Sequence, residues 1–274
     1  MFQILKEHMG FGKQILLLAK NELIRTYKGA VIGPFWAVIK PAFTLFVYWF
    51  AFTCGIKNMG TVKVTQLGIN WAGDRFTFML VGFIPWFFIT DSITQGAKSI
   101  RLNRQYVTKV SFPVSTIMTY TAVARLYVHL FLSLLMYVYL CFVSGIAPSV
   151  YNLQFFLYMP LMFIFFVALT WSTAPMSAFS RDFENMIVSI MSGIFWLSGI
   201  IYSSYEFSSG PLKWFMLLNP INFFANGYRN AFLYNQWFFH YKTELFVFLI
   251  EFAVVIGLGI FNYNRLRKTL PDVL

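Results

Sequence analysis

The sequence predicts an all-α polytopic membrane protein with six transmembrane helices, and three observations carry that prediction. Of its 274 residues, 58% are apolar and only 11% are charged, where an ordinary soluble domain is about 25% charged. Aromatic side chains alone account for 21% of the chain. Apolar stretches of about 20 residues, enough to cross a hydrocarbon core of roughly 30 Å at about 1.5 Å per residue, recur along the sequence. A water-soluble enzyme is excluded, because so few polar groups could not cover its surface.

Residues 1–34 are expected to form an interface helix. Ile4, Leu5, Phe11, Ile15, Leu18, Leu23 and Ile24 alternate with Lys6, Lys13, Lys20 and Arg25 at loosely helical spacing. That pattern suits a helix lying in the membrane surface, and packing on a partner protein is compatible with it. The longest apolar run here, residues 15–19, is too short for a secretory signal core.

Spans are expected at 35–56, 76–94, 114–144, 153–179, 186–205 and 244–263. The third exceeds the bilayer and should tilt or project. No soluble domain is left over, so residues 1–274 read as one transmembrane domain. With the N-terminus inside, the inner segments carry thirteen Lys and Arg against six in the outer ones. Both termini are therefore expected in the cytoplasm. The net charge of +11 then belongs to cytoplasmic loops and anionic lipid headgroups rather than to nucleic acid.

The inner connection, 95–112, carries Lys98, Arg101, Arg104 and Lys109 without an acid, and sets Ile100, Tyr106 and Val110 near helical spacing. It reads either as a positive-inside loop or as a short helix that docks on a cytoplasmic partner. The last outer connection, 206–243, is broken by Pro211 and Pro220, yet contains Phe207, Trp214, Phe215, Phe223, Phe224 and Tyr228. It is too broken to span and too apolar for free solution, so it should dip back into the outer leaflet as a re-entrant helical segment. An aromatic interface belt is the alternative.

Catalytic motifs are missing. Gly10, Gly12 and Lys13 glance at a phosphate loop, but Glu7 and Gln14 stand where Gly and Ser or Thr are required. His8, His129 and His240 are scattered, and Cys54 and Cys141 lie far apart, so no metal site and no disulfide framework is expected. Lys40, Asp91, Arg125 and Glu251 are charged groups that fall inside predicted spans. Each costs at least about 2.5 kcal/mol at the bilayer centre unless it faces protein or water. Asp91 and Arg125 are expected to pair, or else to line a path for an anionic substrate.

Residues 25–41, RTYKGAVIGPFWAVIKP, resemble the approach to the first span in permease subunits of type-2 ABC exporters of lipid-linked polysaccharide and teichoic acid. Arg25, Tyr27, Lys28, Gly33, Trp36 and Pro41 fit that pattern, with Ile32 where Leu is usual. Arg181-Asp182-Phe183, then Asn219-Pro220 followed by Tyr228-Arg229, resemble two further family features. The resemblance implies a homodimer in a bacterial cell membrane with two separate ATP-binding subunits that carry ATP and Mg. It also implies a cargo polymer on undecaprenyl diphosphate, with wall teichoic acid favoured over O-antigen or capsule.

In that frame Lys98, Arg101, Arg104, Tyr106 and Lys109 are the candidates for coupling to the ATPase. Sugar rings stack on aromatic faces, so Trp36, Phe43, Tyr48, Trp86, Phe87, Phe195 and Trp196 are candidates for the substrate path. Arg25, Lys28 and Lys40 are candidates for the diphosphate, or equally for lipid headgroups. A membrane-embedded transferase, a drug or small-lipid permease and a membrane scaffold are the competing readings.

Overall fold

The computed structural model describes residues 2–55, 60–109, 112–207 and 209–274. Expectations touching Ile56 and Val110 lie outside them. The chain opens with two short helices, α1 (Phe2–His8) and α2 (Gly12–Tyr27). Gly10, at φ +82°, makes the turn between them in a conformation that only glycine adopts without strain. Then come α3 (Trp36–Phe50), a β-hairpin of β1 (Thr61–Val64) and β2 (Trp71–Asp74), and α4 (Arg75–Leu102). After α5 (Arg104–Thr108), three long helices follow: α6 (Val114–Phe142), α7 (Phe155–Phe179) and α8 (Arg181–Leu197). Short α9 (Gly210–Leu217) and α10 (Pro220–Arg229) lead to α11 (Lys242–Leu266) and a last turn, α12 (Leu270–Val273).

Five segments are long and apolar enough to cross a membrane: 33–55, 75–102, 114–142, 150–179 and 242–266. They match five of the expected spans. The fifth expectation, 186–205, falls on α8, which is not one of these five: it starts earlier and has 17 residues, about 25 Å of helix. Beyond Leu197 the backbone is irregular as far as a 3-10 turn at Ser204–Glu206. The second span also runs past its expected end. Helix continues through Lys98 and Arg101 to Leu102, so most of the expected loop 95–112 is helical.

α4 is the central helix. Its residues from Thr77 to Ile89 are buried almost without interruption, and it packs against α6, α7, α10, α3 and α8. Asp74 caps it, accepting from the Thr77 backbone N–H at 2.7 Å and from the Thr77 hydroxyl at 2.7 Å. The hairpin that supplies Asp74 pairs Thr61 with Asp74 and Val64 with Trp71. By contrast α3 buries only Leu45 fully, and α11 only Phe248, Gly259 and Tyr263. These two apolar helices therefore present most of their side chains outward, which suits lipid or another chain.

α2 lies along α6, with Ile15 and Ala19 against Ile117, Tyr120 and Ala124, while Lys13, Leu16, Leu17 and Lys20 stay exposed. α1 is held by a carboxylate. Glu7 accepts from the Ser115 N–H at 3.1 Å and hydroxyl at 2.6 Å, from Tyr263 at 2.6 Å and from Arg267 at 2.8 Å. It thereby ties α1 to the start of α6 and the end of α11. Burial pushes this carboxyl upward, but the bonds from Ser115, Tyr263 and Gln3 outweigh burial and hold it below its usual 4.5. A group with a lowered folded pKa contributes stability that is fully present above 4.5 and lost as pH falls through the folded value. Glu7→Gln should cost about 1–3 kcal/mol at pH 7. The gap in melting temperature between wild type and variant should close as the pH is taken from 6 towards 3.

Candidate functional site

Five of the seven aromatic candidates for the path meet at one face of the bundle, where α3, α4 and α8 converge, with Trp196 exposed, Tyr48 and Phe87 half-buried, and Trp86 and Phe195 buried in the core. The Tyr48 ring lies 5.1 Å from Phe195 and 5.9 Å from Trp196. Phe195 in turn lies 5.5 Å from Trp86. Phe83, 5.4 Å from Phe87 and 5.3 Å from Tyr48, joins the group and was not singled out in the sequence. Its spacing from Trp86 and Phe87, three and four residues along one helix, was the available signal. Trp36 lies apart in a cavity described below, and Phe43 projects from the exposed side of α3.

α8 has two unlike sides. Glu184, Ile187, Met191 and Phe195 are buried at three- and four-residue spacing. Asp182, Asn185, Ser189, Ser192, Gly193 and Trp196 are exposed on the other side at the same spacing. Ser189 and Ser192 satisfy their hydroxyls on the carbonyls of Asn185 and Val188. The exposed stripe is thus made of small and polar groups beside Trp196, and exposed Met186, Val188, Ile190 and Leu197 flank it.

Lys40, Asp91 and Arg125 line one cavity of about 160 Å³ between α3, α4 and α6, together with Trp36, Phe87 and His129. The carboxylate and the two cations come together without forming the ion pair expected between Asp91 and Arg125. Arg125 is buried, its Nη2 reaches Thr26 at 3.5 Å, and its Nε has no hydrogen-bond partner. Asp91 is surrounded by protein but open to the cavity. Glu251 is half-buried on α11.

At the end of the bundle that carries α1, the basic residues divide into two sets. Arg101 and Lys98 both engage Glu184, the latter at 3.6 Å, and so join the end of α4 to the start of α8. Arg104 and Lys109 are exposed, and Tyr106 is half-buried with its ring 5.1 Å from Phe112. Arg25 pairs with Glu22 at 2.6 Å and reaches Asn103 at 3.5 Å, while Lys28 is exposed.

At the opposite end, α10 is buried on all sides from Ile221 to Arg229. Its polar side chains satisfy the irregular backbone after α8. The Arg229 guanidinium lies 3.8 Å over the Phe78 ring and donates to the carbonyls of Gly199, Ile200 and Tyr202. Asn222 accepts from the Gly199 N–H at 2.6 Å, and Asn219 donates to Ser198 at 2.8 Å. Asn226 donates to Glu244 at 2.7 Å, which also accepts from Tyr205 at 3.0 Å. Gly82 lets Arg229 in, because a Cβ there would collide with the guanidinium and with the Ile200 carbonyl. The asparagines at 219, 222 and 226 with Arg229 follow helical spacing, a signal present in the sequence although only Asn219 and Arg229 were singled out there.

The profile of the ABC-2 type transporter family matches residues 13–233, from α2 to the turn after α10. The chain belongs to the ABC-2 type transporter family. The match takes in α3, α4, α8 and α10, so the aromatic face and the arginine-held segment are both parts of an ABC-2 transporter domain. The chain is also 25% identical over 233 residues to the O-antigen export system permease protein RfbA of Myxococcus xanthus, covering 85% of each chain.

Proposed function

We propose that two copies of this chain form the membrane part of an ATP-driven exporter of a lipid-linked polysaccharide. ATP and Mg act on two separate ATP-binding subunits. The cargo is a polymer on undecaprenyl diphosphate, moved from the cytoplasm to the outer face of a bacterial cell membrane. The similar permease from Myxococcus xanthus is named for O-antigen export, which favours a polysaccharide of that kind. Wall teichoic acid, expected first, draws no support from it.

The observation that carries the reading is the open face of α3 and α8. Trp196 is exposed and Tyr48 half-buried beside the polar stripe of Asn185, Ser189, Ser192 and Gly193, with Phe195 packed behind them. Aromatic faces stack on sugar rings without fixing them, and small polar groups keep the wall wet. Such a wall suits a chain of sugars that must slide. A second copy facing it would close the path and cover the exposed side of α3.

In this reading α8 is a sixth span, and its termination at Leu197 is completed by the re-entrant pair α9 and α10. Six crossings put both termini on one side, and the surplus of Lys and Arg makes that side cytoplasmic. Arg104 and Lys109, which are exposed, then face the ATPase, while Lys98 and Arg101 brace α4 against α8 through Glu184. A push on α5 would thus reach the wall of the path as a rigid-body shift.

Co-expression with the ATP-binding subunit encoded beside it tests the assembly. Wild type should retain that subunit through purification, and Arg104→Glu with Lys109→Glu should lose most of it. A wild-type chain that retains no ATPase contradicts the reading.

A further inference from the structure

We propose that the cavity holding Lys40, Asp91 and Arg125, with the apolar groove beside it, binds one membrane lipid whose phosphate carries a hydroxyl-bearing headgroup. The groove, about 250 Å³, is walled by Leu23, Phe35, Val38, Tyr127 and Phe131. It shares Tyr27, Ala37 and Val128 with the charged cavity, so the two lie side by side with these residues as a common wall. A charged pocket beside an apolar groove fits an amphiphile rather than a free ion.

The charges select the headgroup. Arg125 is 7% exposed, yet its Nε has no partner and its Nη2 makes only a long bond, 3.5 Å, to Thr26. A buried guanidinium has five donors arranged for an oxyanion, and leaving one of them, Nε, without a partner is costly. Lys40 supplies a second cation on the facing wall. Asp91 would repel a bare phosphate dianion, but it accepts hydrogen bonds from hydroxyls attached to a phosphodiester. Phosphatidylglycerol has this chemistry, whereas the quaternary ammonium of phosphatidylcholine meets two cations.

The depth agrees. α2 runs along α6 over Ile117, Tyr120 and Ala124, and ends at Tyr27 beside Arg125. α3 starts at Trp36 on the same level and enters the apolar layer from there. The pocket therefore sits where an interfacial helix meets a span, at headgroup level. Phe35 and Phe131 are 71% and 50% exposed, which leaves the groove open to lipid from the side.

The proposal rests on the exporter reading only for the placement of this face in a bilayer. Full-length protein purified in detergent would be titrated with phosphatidylglycerol, phosphatidylcholine, phosphatidylmethanol and inorganic phosphate, with bound molecules counted by native mass spectrometry. One phosphatidylglycerol per chain should be held at least about tenfold more tightly than phosphatidylcholine. Arg125→Gln and Lys40→Gln should each remove that preference; Lys40 is exposed, so its variant tests the site even if Arg125→Gln folds poorly. Asp91→Leu should erase the preference for phosphatidylglycerol over phosphatidylmethanol, which lacks headgroup hydroxyls. Equal binding of all three lipids by wild type, a preference unchanged in Lys40→Gln, or displacement of the lipid by inorganic phosphate would each overturn the proposal. A chain that exports without lipid preference refutes this proposal alone, whereas lipid selection by a chain that cannot export counts only against the exporter reading.

Discussion

Gly193→Trp is expected to reduce export at least about tenfold while leaving the melting temperature of the purified chain unchanged, a barrier increase of about 1.4 kcal/mol or more. Gly193 lies on the exposed stripe of α8, and a Cβ there meets nothing within 4 Å. A side chain can therefore leave the backbone here into open space on the isolated chain. An indole fills the space where sugars would pass between two copies, level with Ser189, Ser192 and Trp196. Paired measurements of ATP-dependent export and thermal unfolding check the expectation. If this side of α8 met only lipid, a tryptophan would be welcome there and export would continue at the wild-type rate.

Arg229→Gln should produce the largest loss of stability. Its guanidinium donates to three carbonyls in the irregular stretch after α8, and glutamine can serve at most two of them from a shorter side chain. Buried carbonyls left without donors cost about 1–3 kcal/mol each. A total of about 3 kcal/mol should lower the melting temperature by roughly 10 °C in a chain of this size. Gly82→Ala should act in the same direction, because its methyl group would push Arg229 from its place over Phe78. Thermal unfolding of both variants in detergent measures the effect, and a shift under about 2 °C for each would deny Arg229 this role.

The long spans were legible because a bilayer imposes length and apolarity on a segment whatever its neighbours do. α8 was harder to read. Its apolar residues suggested a span over 186–205, but helix ends at Leu197 where Arg229 and Asn222, some thirty residues later, supply partners for the unwound backbone. That exchange is tertiary and leaves little trace in local pattern.

The site divides in the same way. Tyr48, Trp86, Phe87, Phe195 and Trp196 were named from residue type and span number, and they meet in space. Trp36 and Phe43 had the same chemistry but lie elsewhere, because helices that are apolar all round give no periodicity to orient them. Asp91 and Arg125 were expected as a pair and share a cavity instead. Sequence places charges at a similar depth but does not fix their separation. Arg101 was read as available to a partner, and Glu184 takes it, since a lone acid 83 residues away carries no sequence cue.

The central claim is that this ABC-2 transporter chain moves a lipid-linked polysaccharide through a path walled by α3 and α8. It is tested most directly in proteoliposomes containing the chain and its ATP-binding subunit. A short fluorescent oligosaccharide on undecaprenyl diphosphate is loaded in one leaflet, and its arrival in the other is followed with a membrane-impermeant quencher. The account predicts transfer that requires ATP and Mg and stops in Gly193→Trp. Transfer that proceeds equally with Gly193→Trp, or an assembled complex that hydrolyses ATP without moving the glycolipid, would contradict it.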